Sequence, residues 1–175
     1  GTIQVQADGT GGILIGNGSS LNTTGFNNVL TATKGSITTG TGVALSARGN
    51  NVNLVASNAV VLGASNTFTT TTASTANGQV VLTGTSGGVN IGANTSFAAM
   101  GSLAVNTTNS AATLLVNNGV FLNSGSTVAF SGGIAQLGAG GANATITGSG
   151  GVSVSGPSIT VNRASITGGP LTFNS

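Results

Sequence analysis

Cysteine, histidine, tryptophan and tyrosine are all missing from this 175-residue chain, and one carboxylate side chain, Asp8, accompanies three cations, Lys34, Arg48 and Arg163. Without cysteine there is neither a disulfide framework nor a thiolate metal site. The many Ser and Thr hydroxyls have no His or Cys to activate them, so a nucleophilic triad cannot be assembled. General acid-base hydrolysis needs two positioned titratable groups, and calcium-binding β-rolls need an Asp in every repeat; one Asp supplies neither. The expectation is a chain that is not an enzyme, with no catalytic, cofactor-binding or metal-binding residue.

The three cations lie far apart in sequence, with no aromatic interleaving, and so form no phosphate-tracking stripe. Nucleic acid is not an expected partner. No apolar run approaches the ~18 residues of a membrane span; the longest are pieces such as Val60 to Leu62 and Leu114 to Val116. Membrane insertion is not expected either. The chain begins at Gly1 without a basic n-region or an apolar h-region. Any export signal has been removed or lies outside these residues, and the expectation is a piece of a longer chain.

What is present is Gly 31, Thr 27, Asn 20 and Ser 20, together more than half of the molecule, with 38% hydrophobic residues. The mean hydropathy of +0.38 is too apolar for a disordered polar tract, so the chain should fold. Short triplets alternate in-out-in and close on Gly, Asn or Ser, as in Ile3 to Val5, Ile13 to Ile15, Val52 to Leu54, Val89 to Ile91, Leu103 to Val105, Val152 to Val154 and Leu171 to Phe173. No stretch keeps a 3.6-residue apolar period, and Gly and β-branched residues saturate the chain. Little or no helix is expected.

Weaker segments bring the total to about 21 strands, a spacing that suits a sandwich or a solenoid. Internal repetition separates the two. The segment Gly11 to Gly25, GGILIGNGSSLNTTG, returns 76 residues later as GGVNIGANTSFAAMG at Gly87 to Gly101, keeping four glycines and three apolar positions. Nine strand intervals separate Ile13 from Val89, which is three coils of three strands. The predicted fold is therefore a triangular parallel β-helix of about seven coils, a rod ~34 Å long at ~4.8 Å per coil. A relaxed third copy starts at Val120 (VFLNSGSTVAFSG). Four intervals fall between Val89 and Val120, so one segment there is expected to be a loop, and the register after Phe97 stays open. The run Thr67 to Asn77 shows no inward set beyond Phe68 and is expected to bulge from the surface.

The Gly-Gly-apolar-X-Ile-Gly-Ala-Asn pattern at Gly87 to Asn94, its copies at Gly11 and Val120, and the Gly/Asn/Thr/Ser/Val composition resemble the haemagglutinin-repeat exoproteins, the filamentous haemagglutinin family of bacterial surface adhesins exported by two-partner secretion. The resemblance implies a right-handed parallel β-helix in the shaft of an extracellular fibre. No Asn-Pro-Asn-type motif of the family's secretion domain occurs; the two prolines are Pro157 and Pro170.

Sequons at Asn17, Asn22, Asn94, Asn106 and Asn143 would suit a glycosylated surface, although a composition so rich in Asn, Ser and Thr produces such triplets by chance. Thr31 and Thr33, Thr83 and Thr85, and Thr145 and Thr147 form Thr-X-Thr units that would matter to an ice-binding plane only if they recurred at one coil position. Lys34 and Arg48 read as solvated cations or edge protection. The chain enters directly on Ile3 to Val5 and leaves on Leu171 to Phe173 without a cap, so the expectation is continuation of the solenoid or head-to-tail and lateral self-association. The functional expectation is the structural shaft of an extracellular bacterial surface fibre or adhesin. The alternative is a ligand-binding solenoid for ice or glycans.

Overall fold

The computed structural model describes residues 1–71 and 78–175, and among them every regular element is a β-strand. Three parallel sheets of eight, seven and seven strands wind as a solenoid of about seven coils. Sheet A holds Ile3–Ala7, Asn28–Ala32, Val52–Ala56, Val80–Gly84, Leu103–Asn106, Thr127–Ser131, Gly151–Ser155 and Leu171–Asn174. Sheet B holds Ile13–Ile15, Ile37–Thr39, Ala59–Leu62, Gly88–Ile91, Thr113–Asn117, Ile134–Ala139 and Ser158–Val161. Sheet C holds Ser20–Thr24, Ala44–Arg48, Thr67–Thr71, Ser96–Ala99, Phe121–Ser124, Ala144–Gly148 and Ala164–Gly168. The chain visits A, B and C in that order in each coil, and each strand pairs with the one a full coil later.

Successive coils on sheet A start at Ile3, Asn28, Val52, Val80, Leu103, Val128, Val152 and Leu171, steps of 25, 24, 28, 23, 25, 24 and 19 residues. The length of a coil varies while the sheet A strands stay at four or five residues. The period of two puts alternate side chains inside. Sheet A contributes the ladder Val5, Leu30, Leu54, Leu82, Val105, Phe130, Val154, Phe173, unbroken through all eight strands. Sheet C contributes Leu21, Leu45, Phe68, Phe97, Leu122, Ile146 and Ile166. These ladders and their sheet B counterpart meet in one continuous core along the rod.

Two expectations are corrected. Thr67–Thr71 is a strand of sheet C with Phe68 and Thr70 both buried, not a surface bulge; Thr does not stand out as an inward residue because its hydroxyl hides its burial. The remainder of that run, residues 72–77, lies outside the described residues. No segment between Val89 and Val120 is a loop: Ser96–Ala99, Leu103–Asn106 and Thr113–Asn117 are all strands. The copy at Val120 therefore lies one face further on, entering sheet C where Val89 lies in sheet B. The described residues hold 22 strands, close to the expected number, and the apolar piece Val60 to Leu62 belongs to one of them. Its outward residue, Val61, is itself apolar, which masks the alternation.

At the corner from sheet B to sheet C one left-handed residue stacks through five consecutive coils: Gly18 (φ 66), Gly42 (φ 69), Ser65 (φ 57), Asn94 (φ 56) and Gly119 (φ 67). Each of the first four donates its N–H to the carbonyl of the residue before its counterpart in the next coil, as in Gly42 to Ala64 and Asn94 to Asn118. Gly88 is different in kind, since it combines φ 81 with a backbone so close that a Cβ would collide with the Thr113 carbonyl oxygen of the next coil. Gly88→Ala is expected to lower stability by about 2–4 kcal/mol through overpacking and αL strain. Gly42→Ala, where a Cβ meets nothing within 4 Å, should cost only about 1–2 kcal/mol of backbone strain. Urea denaturation of the pair tests the difference; equal losses would show that backbone approach at Gly88 is not limiting.

The corners also hold the buried polar residues. Asn66 Oδ1 accepts the Val43 N–H at 2.7 Å, and its Nδ2 donates to Thr39 Oγ1 at 2.6 Å and to the Gly63 carbonyl at 3.1 Å. At the corner from C to A, Thr23 Oγ1 donates to the Phe26 carbonyl at 2.7 Å, and Ser124 Oγ to those of Gly101 and Thr127 at 2.6 and 3.1 Å. Asn27 Oδ1 accepts the Asn51 N–H, and Asn51 Oδ1 accepts those of Gly78 and Gln79. Where the chain leaves a sheet its amides lose their ladder partners, and these short polar side chains replace them. Among the described residues one buried side-chain polar atom has no partner, Asn28 Oδ1, although its Nδ2 bonds the carbonyls of Leu21 and Ser46.

Candidate functional site

The four charged side chains are all exposed. Asp8 sits just past the first strand of sheet A, where its carboxylate accepts hydrogen bonds from Gln6 Nε2 at 2.9 Å and Thr33 Oγ1 at 3.1 Å. Lys34 lies at the A-to-B corner of the second coil and Arg48 at the end of a sheet C strand in the same coil. Arg163 lies near the opposite end of the rod, with Nη1 donating to the Gly141 carbonyl at 2.6 Å. Among the described residues no three metal-ligating side chains come together. Asp8 and Lys34 share the A-to-B corner of adjacent coils, while Arg48 and Arg163 lie on other parts of the rod.

The sequons fall at unequal places. Asn17 Oδ1 is engaged by the Thr41 N–H at 2.8 Å, Asn94 occupies the left-handed corner, and Asn106 is half-buried at a strand end. Asn22 points outward on sheet C with its Nδ2 on Ser20 Oγ at 2.9 Å, and Asn143 is exposed just before a sheet C strand. The Thr-X-Thr units are split between faces. Thr31 and Thr83 occupy one sheet A ladder position two coils apart, with Val55 between them, whereas Thr145 and Thr147 lie on sheet C. No unbroken threonine plane results from them.

What distinguishes the surface is therefore its faces. The outward sheet C ladder runs Ser20, Ala44, Thr67, Ser96, Phe121, Thr145, Ser165. Sheet B carries exposed and half-exposed aliphatics, Leu14 foremost at 78% exposure. Two hollows are notable: an open cavity of ≈ 770 Å³ at the C-terminal coil against Ile159, Val161 and Phe173, and a groove of ≈ 410 Å³ on sheet B around Val61, Asn90 and Leu115. The sequence signal for the groove was present in the apolar middle residues of Ile13-Leu14-Ile15, Val60-Val61-Leu62 and Leu114-Leu115-Val116.

No family model matches the chain, and comparison with curated proteins and with solved structures finds no match to either. The fold and its surfaces stand alone as the ground for a functional reading.

Proposed function

We propose that the chain is a structural shaft segment of an extracellular bacterial surface fibre or adhesin of the haemagglutinin-repeat kind, built to span distance and to associate end to end. The observation that carries this reading is the uninterrupted core. Apolar ladders run through every coil, so stiffness is shared along the rod, and the exterior holds no grouped titratable chemistry. Nearest-neighbour stacking of this type transmits load from coil to coil. At the terminal coils Val5, Val161, Leu171 and Phe173 are 37 to 48% exposed, and the last strands of each sheet pair on one side only among the described residues. Such edges template further parallel strands.

The strand count prescribes how copies would meet. Sheet A has one strand more than sheets B and C, so a pure translation by seven coils would set the first strand of a second copy onto the place of Leu171–Asn174. A one-third turn removes the conflict: the second copy's sheet A continues sheet B, its B continues C, and its C continues A. Filaments should therefore advance by about 35 Å per copy, each copy rotated by about 120°. Electron microscopy of the purified chain tests this: unbranched filaments with that step are the expected result, and isolated rods at every concentration would overturn end-to-end association.

A ligand-binding solenoid is the second reading, favoured by sheet C alone, where five of the seven residues on the outward ladder carry hydroxyls and Ala44 and Phe121 interrupt them. Ice shaping or glycan binding by the purified chain that is lost in Thr67→Lys would carry it.

A further inference from the structure

Sheet B presents outward, coil by coil, Leu14, Thr38, Val61, Asn90, Leu115, Gln136 and Thr160. None is charged, and over the first five coils aliphatic and polar side chains alternate. Leu14, on the terminal strand of the sheet, is the most exposed at 78%, while the surface around Leu115 is hollowed into the ≈ 410 Å³ groove walled by Val61, Asn90 and Gln136. The first strand of the face thus bears an exposed leucine, and its third to sixth strands line a hollow.

We propose that this face is a lateral docking surface for a second copy of the chain, seated antiparallel about a two-fold axis that lies in the interface, parallel to the Ala59–Leu62 strand and over Val61. That rotation maps the ladder onto itself. Leu14 of one copy enters the groove at Leu115 of the other, Thr38 meets Asn90, and Val61 meets Val61, so apolar groups bury apolar groups and the hydroxyl faces the amide. A parallel arrangement sets Leu14 against Leu14 and leaves both grooves empty. Isologous contacts of this kind need one surface that is complementary to itself, which the order Leu, Thr, Val, Asn, Leu supplies. No charge has to be desolvated, in keeping with the depletion of charge at interface centres.

The size of the patch sets its strength. Five strands at ~4.8 Å spacing and about three residues of ~3.3 Å each cover roughly 240 Å² per copy, well under the ~800 Å² per partner of a stable interface. A free pair is thus held weakly; in a filament with a ~120° step the patch returns to the same side at every third copy, so the contact gains only when longer filaments engage several patches at once. The proposal deepens the shaft reading and rests on it for that gain alone.

Because the chain has no cysteine, single-cysteine variants report contacts without background. Face-to-face sheets lie ~10 Å apart, beyond the ~7 Å Cα separation that a disulfide bridges, so a short bifunctional maleimide is the probe. Val61→Cys should yield several-fold more cross-linked dimer than Asn53→Cys on sheet A or Thr69→Cys on sheet C, both outward and half-exposed. Leu14→Cys alone should match those controls, and an equimolar mixture of Leu14→Cys and Leu115→Cys should rise to about half the Val61→Cys level, the share of mixed dimers. Val61→Cys at the control level overturns the surface, and Leu14→Cys alone cross-linking as well as Val61→Cys overturns the antiparallel arrangement. Filaments observed by microscopy alongside a Val61→Cys result at the control level would remove the lateral contact and leave the shaft reading intact.

Discussion

Phe97→Ala is expected to lose about 3–5 kcal/mol of stability. Phe97 and Phe68 are both fully buried and stack across adjacent coils of sheet C with ring centroids 4.7 Å apart and planes 8° from parallel. They are the widest side chains on that interior ladder, flanked by Leu45 and Leu122. Parallel strands held in register cannot move inward to fill the space, so the cavity persists and the full cost is felt. Part of it, about 0.5–1.5 kcal/mol, belongs to the pair and should appear as coupling in a double-mutant cycle with Phe68→Ala. Urea unfolding and amide exchange in the third to fifth coils measure both effects. A loss no greater than that of Thr69→Ala, on the outside of the neighbouring strand that carries Phe68, would show that the stack is not structural.

Asn66→Leu is expected to cost about 2–4 kcal/mol despite adding apolar surface, because the buried Val43 N–H then has no acceptor. Thr39 Oγ1 and the Gly63 carbonyl also lose a donor, although Thr95 Oγ1 still reaches Gly63 at 3.2 Å. Asn66→Asp separates geometry from charge. A buried carboxyl with no cation beside it has a folded-state pKa raised above its unfolded value, so it binds its proton more tightly when folded. The stability of this variant should therefore be greatest below the unfolded Asp pKa of ~3.9 and fall as pH rises through the folded value. The chain has one native carboxylate side chain and no histidine, so the background titration is small. A pH-independent Asn66→Asp, measured by denaturant titration from acid to neutral pH, would mean that the site is open to water.

The ladders were readable because parallel coils impose a strict period of two. Wherever an inward triplet alternates with small or polar outward residues, as in Val52-Asn53-Leu54 or Val152-Ser153-Val154, the sequence states both strand and face. The 76-residue recurrence was likewise physical: Ile13 and Val89, and Leu21 and Phe97, occupy equal positions on sheets B and C three coils apart. The alternation failed where a side chain's chemistry contradicted its place. Thr70 and Ser124 are polar yet buried, because hydroxyls close the carbonyls of the corner; Val61 and Leu14 are apolar yet outward. Residue type reports average burial, and at these positions the local demand for a hydrogen bond or for an exposed contact overrides it.

Composition and periodicity by themselves determined that this chain is a helix-free stack of short strands with an aliphatic interior and almost no titratable chemistry, since those properties depend on residue type and spacing alone. Only the tertiary structure decided which coil each strand joins, which face the Val120 copy occupies, and that Leu14, Val61 and Leu115 share one surface. Those relations join residues about 25 positions apart through corners of variable length, and a change of one residue at a corner leaves the local pattern intact while moving everything that the next face presents.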